Sequence, residues 1–130
     1  MDNVSNFSFM EQDRPVLVAE LRGGAEYPEI NGTAYVYTLP NGMYIQMDIK
    51  EVPKSSNFAI HVHEGLICED AGEKLLPLPD LVSDKDGKIS AMLYIDTMNS
   101  TQIAGKPIML HLKQDGTEIN IACGLLERIL

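Results

Sequence analysis

Only three histidines occur in the chain, His61, His63 and His111, and a single residue separates the first two. On a β-strand, positions i and i+2 project to the same side and stand about 6.6 Å apart at Cα, so His61 and His63 can share one ion lying above the sheet. His111 sits in a separate apolar segment, where Met109, His111 and Lys113 alternate with Ile108, Leu110 and Leu112. A sandwich or barrel that brings this segment alongside would complete a set of three imidazoles. Neutral imidazole suits copper, zinc, iron and nickel, and three imidazoles without a thiolate or a nearby carboxylate lean towards copper or zinc. His-x-His is also an ordinary way to keep one strand face polar, so the spacing alone leaves both uses open.

The segments that must position these rings read as strands. Met43, Ile45, Met47 and Ile49 interleave with Tyr44, Gln46, Asp48 and Lys50, a period of two with one dry and one wet face. Pro40-Asn41-Gly42 before it forms a hairpin turn, residues 30–39 form the strand entering that turn, and residues 16–22 form a first strand ending at Gly23-Gly24. The histidine pair falls on a strand over residues 58–64, with Phe58, Ile60 and Val62 on one face and Ala59, His61 and His63 on the other. Residues 65–84 carry Gly72, Pro77 and Pro79 among several acids and read as one long loop, a feature that in a compact domain is usually functional or mobile. Asp84-Lys85-Asp86-Gly87 then turns the chain into a strand over residues 89–95. Residues 107–113 and 118–126 pair as a hairpin through Gln114-Asp115-Gly116-Thr117. No apolar stripe of helical period and no internal repeat stands out. Some seven or eight short strands with turns about every 8 to 12 residues predict an all-β Greek-key sandwich or flattened eight-stranded barrel.

At 130 residues the chain makes one domain, expected over residues 15–130 behind a flexible N-terminal tail over residues 1–14. Its 14.4 kDa is enough to bury about two thirds of the unfolded surface without staples. Ten basic against nineteen acidic residues leave a net charge of -9, which repels phosphate backbones and anionic lipid, so neither nucleic acid nor a membrane surface is an expected partner. No apolar run approaches the roughly 18 residues of a membrane helix, and the opening residues lack the basic and apolar regions of a signal peptide. As written the chain reads as cytoplasmic, and as extracytoplasmic had a leader been removed. Cys68 and Cys123 stand 55 positions apart, which excludes CxxC redox and zinc-ribbon patterns and leaves one disulfide or two buried thiols.

Several segments, in order, resemble the copper/zinc superoxide dismutases, and the resemblance runs from about Val16 to the C-terminus. His61-Val62-His63-Glu64 is similar to the family's His-x-His-Glu strand, with Cys68 a few residues on where the family has a disulfide cysteine. Asp80-Leu81 followed by Asp84-Lys85-Asp86-Gly87 resembles another family segment. Gly105-Lys106-Pro107-Ile108-Met109-Leu110-His111 looks like the late strand ending in a copper histidine, and Ala122-Cys123-Gly124 like the closing Ala-Cys-Gly. The resemblance implies three copper ligands, His61, His63 and His111, and a disulfide between Cys68 and Cys123 tethering the long loop to the last strand.

The departures matter as much. Lys74 stands where the family has the histidine bridging copper and zinc, the other zinc histidines have no counterpart, and Asp80 is the one residue left of a zinc site. One carboxylate does not hold zinc, so copper alone is the cofactor implied. Asn120 replaces the family's catalytic arginine, and the long charged loop that steers superoxide is reduced to the turn at Gln114 to Thr117. A three-histidine site suits Cu(I) better than Cu(II), and electrostatic steering is worth a factor of about 10 to 10³ in on-rate. The expectation is therefore a superoxide dismutase-like protein of reduced efficiency, or else a binding protein for copper or another divalent metal on the same scaffold. Two further residues bear on the choice. Lys74 attracts superoxide if the loop keeps the family's path, and is a solvated loop lysine otherwise. Met109 shares a face with His111 and offers either a thioether or core packing. The resemblance also implies a homodimer, for which the apolar ending over residues 125–130 either supplies a surface or simply finishes the last strand.

Overall fold

The computed structural model describes residues 14–129. The tail expected over residues 1–14 lies outside the described residues apart from Arg14. Among the described residues the chain forms β1 (Pro15–Gly23), β2 (Asn31–Leu39), β3 (Gly42–Lys50), β4 (Asn57–His63), β5 (Lys74–Pro77), β6 (Leu81–Val82), β7 (Ile89–Ile95), β8 (Pro107–Gln114), β9 (Thr117–Leu125) and β10 (Glu127–Arg128), with one short helix, α1 (Ser100–Ile103). The expected fold class holds: the molecule is nearly all β, an antiparallel sheet curled into a flattened barrel. Its main path runs β5-β4-β8-β9-β1-β2-β3-β7, and β6 and β10 add to β4 and β1.

Alternation builds the core. Met43, Ile45, Met47 and Ile49 are at most 1% exposed and meet Leu17, Ala19 and Leu21 from β1 and Phe58, Ile60 and Val62 from β4 in the same apolar interior. The Asp115-Gly116 turn has both residues at positive φ, 52° and 80°, the pairing a two-residue hairpin requires, and it fixes β8 against β9 from Gln114↔Thr117 onward.

The structure corrects the reading of residues 65–84 as a continuous loop. Lys74–Pro77 pairs with the end of β4 and Leu81–Val82 with its start. Both strands are too short to show a period, and the flanking prolines mask them. An edge strand tolerates proline because its outward N–H has no ladder partner to lose. The helix α1 was likewise beyond periodicity at four residues, but its capping box, Asn99 with Gln102, is a sequence-level signal. At the other end the apolar C-terminus closes the sheet, because Leu126 is fully buried and Arg128 pairs with Leu17 on β1.

Candidate metal centre

The histidines occupy the two central strands of the β5-β4-β8-β9 row. His61 and His63 project from the outer face of β4, opposite the face that carries Phe58, Ile60 and Val62 into the core. His111 projects from β8, which pairs with β4 in the register Ala59↔His111 and His61↔Met109. The third ring is therefore delivered beside the first two by the ladder itself. Ring centroids lie 4.9 Å apart for His61 and His111, 5.8 Å for His63 and His111, and 6.1 Å for His61 and His63. One nitrogen from each ring lies within 4.8 Å of the others.

The expected face is polar but it is not wet. His61, His63 and His111 are only 7%, 8% and 4% exposed, and His61 Nδ1, His63 Nε2 and His111 Nε2 are buried with no hydrogen-bond partner. Leaving a buried polar atom unpaired costs about 1 to 3 kcal/mol, and three clustered rings that each carry such an atom form a site suited to an electron-pair acceptor. At His63 the tautomer follows from the partner: Nδ1 lies 2.8 Å from the Gly72 carbonyl, which only accepts, so Nδ1 carries the proton and Nε2 the free lone pair. Gly72 reaches that position through a positive φ of 76°, and the loop folds back tightly enough that a Cβ on Gly65 would run into the carbonyls of Asp70 and Ala71. Burial, the Lys74 charge and, more weakly, His63 lower the pKa of His61. Burial, then the neighbouring His61, pushes His111 down to about 4 against the opposing hydrogen bond with the Asn120 side chain. Both rings are neutral at physiological pH, the state a metal requires.

No protein-family model matches the chain, and no curated protein matches it either. What the site can do is set by its own atoms: three buried imidazoles that can hold one metal ion.

The remaining residues singled out in the sequence surround this cluster. Cys68 and Cys123 form a disulfide with Cα atoms 6.0 Å apart, tying the loop after β4 to β9. Met109 lies between His61 and Cys123 in register and is 7% exposed. Asn120 is the cross-strand partner of His111. It lines a cavity of about 400 Å³ together with Met109, Arg22 and both cysteines. No histidine lines that cavity, which flanks the cluster through Met109 and Asn120. Lys74 begins β5 opposite His63, and its ammonium is not free: it bonds Glu118 Oε1 at 3.3 Å. Asp80 accepts a hydrogen bond from Lys113 Nζ at 2.7 Å, which raises the Lys113 pKa.

Glu118 is the residue that sequence reasoning passed over. Burial pushes its carboxyl up, but the hydrogen bond and charge of Lys74, helped by His61 and His111, outweigh this and hold it below the usual range. The signal for it was present. A two-residue Asp115-Gly116 turn dictates Lys113↔Glu118, which places the acid on the same outer face as Lys113 and His111.

Proposed function

We propose that this protein is a copper protein of the superoxide dismutase kind, holding one ion between His61, His63 and His111 and dismutating superoxide at reduced efficiency. The observation that carries the reading is the clustering of three buried imidazoles, each with a nitrogen that has no hydrogen-bond partner. The family resemblance of the surrounding segments and the disulfide between Cys68 and Cys123 support it. Bound copper supplies a one-electron couple, by which one superoxide is oxidised to oxygen and a second, taking two protons, is reduced to hydrogen peroxide. The chain's own contribution is to keep His61 and His111 neutral, to orient His63 through Gly72, and to offer the Asn120 amide beside His111 as a hydrogen-bond donor to a small anion.

A second reading, a copper carrier without fast turnover, is favoured by one specific observation. Three cations around the cluster and its flanking cavity, Arg22, Lys74 and Lys113, each have a carboxylate partner, Glu20, Glu118 and Asp80, and Lys106 is turned to the Glu64 carbonyl. Titration of the metal-free protein with Cu(I) should show one equivalent bound, and replacing His61→Ala or His111→Ala should abolish it. A flat titration of the wild type would end both readings. Pulse radiolysis of the copper-loaded protein separates them: superoxide decay faster than that given by the same concentration of buffer-chelated copper marks an enzyme, and decay no faster marks a carrier.

A further inference from the structure

Three imidazoles satisfy Cu(I), but a divalent ion such as Zn(II), Co(II) or Cu(II) takes at least four donors. The position of Glu118 bears on that shortfall. It stands on β9, two residues before the cross-strand partner of His111, and its charge is felt by both His61 and His111. Its ion-pair partner Lys74 comes from β5, at the opposite end of the four-strand row. Adjacent strands lie about 4.8 Å apart, so two side chains rooted three strands from each other meet only by extending towards one another. The strands between them, β4 and β8, are those that carry the three histidines. The Glu118 carboxylate is thus drawn over the histidine face instead of out along the barrel, and its side chain keeps 35% of its exposure against 52% for Lys74.

We propose that Glu118 is a fourth ligand held in reserve by Lys74: three histidines bind Cu(I), and a divalent ion draws the carboxylate off the lysine to complete its coordination. An exposed ion pair is a weak interaction, so giving up Lys74 is a small cost against a metal–oxygen bond. The site would then sort ions by charge. This inference rests on the metal-binding reading above.

Co(II), whose visible bands report coordination number and donor type, is the probe. Wild type, Glu118→Gln and Lys74→Met are compared for Co(II) spectrum, Co(II) affinity and Cu(I) affinity. Glu118→Gln should change the Co(II) bands and weaken Co(II) at least about tenfold, the smallest effect typical of groups that merely support a ligand, while leaving Cu(I) affinity unchanged. Lys74→Met should keep the wild-type bands and bind Co(II) as tightly or more so. Co(II) bands unchanged in Glu118→Gln overturn the proposal even if affinity falls, because a distant charge alone would do that. Equal weakening in both variants overturns it as well, since the intact ion pair would then be what matters. A wild type that takes Cu(I) but not Co(II) sinks the carboxylate ligand alone, whereas one that takes neither sinks the metal site with it.

Discussion

At the scale of single residues, His61 and His111 are poised by being kept from water. A buried imidazole with a lowered pKa resists protonation while the unfolded chain takes up the proton near pH 6.5, so the unfolded state gains protons first as pH falls. The sign follows: the neutral form's contribution to stability is complete above pH 6.5 and is lost as pH falls through about 4, where His111 protonates. The metal-free protein should therefore show urea midpoints that fall progressively across that window. His111→Phe, which keeps a ring and removes the titrating group, should flatten the dependence. Midpoints as steep in the variant as in the wild type would place the acid sensitivity elsewhere. Metal release should follow the same direction, since protons and the ion compete for the same lone pairs. The shared face of His61 and His63 was readable in the sequence because strand period and face are arithmetic, whereas the arrival of His111 needed the pairing of β4 with β8, which spacing alone does not give. The sequence left the tautomer of His63 unreadable, because that depends on a carbonyl nine positions away, at Gly72, brought in by loop backbone.

At the scale of elements, the site is a product of register. Asn120 and Cys123 are three positions apart, an odd separation that on a regular strand would put them on opposite faces. The β8–β9 ladder instead shifts between Leu110 and His111, pairing Leu110↔Ala122 but His111↔Asn120, so that Ile121 is the extra residue of a bulge. Ile121 and Ala122 are both buried, while Cys123 reaches back to Cys68 and Asn120 stands beside His111. Nothing in the local sequence announces that bulge, which is why strand count and turn positions were legible but the alignment of Asn120 with His111 was not. The disulfide acts at the same scale. Closing a loop of 55 residues contributes up to about 4 kcal/mol by chain entropy, and the loop so pinned carries the Gly72 carbonyl that orients His63. Cys68→Ala/Cys123→Ala should thus lose stability in urea and should also bind Cu(I) more weakly. A variant with lower stability but wild-type affinity would show that β5 pairing alone holds Gly72 in place. Disulfides persist where the surroundings are oxidising, so this bridge favours the extracytoplasmic of the two locations weighed from the sequence.

At the scale of the whole molecule, charge decides how well a small anion finds the site. The net charge of -9 repels superoxide at long range. Close in, Lys74 shares its charge with Glu118, Lys113 with Asp80 and Arg22 with Glu20, so none of these cations is left to create an attractive patch. Asn120 adds a hydrogen-bond donor but no charge. The copper-loaded wild type should react with superoxide slowly, and added salt should leave the rate unchanged or raise it slightly by screening the overall repulsion. Asn120→Arg tests the point because it places a cation at the position opposite His111 and leaves all three ion pairs intact, exchanging only the Asn120 hydrogen bond to that ring. Focused charge at a cleft raises association by a factor of about 10 to 10³, so the variant should gain at least the lower figure at low ionic strength. It should also acquire the opposite salt dependence, slowing as the Debye length shrinks below about 10 Å near 0.1 M. Pulse radiolysis over a range of ionic strengths reads both effects on one sample. A faster, salt-sensitive variant identifies encounter as the slow step. If the variant binds copper as the wild type does and is no faster, the limit lies in the electron-transfer cycle of the three-histidine site, and the carrier reading gains what the enzyme reading loses.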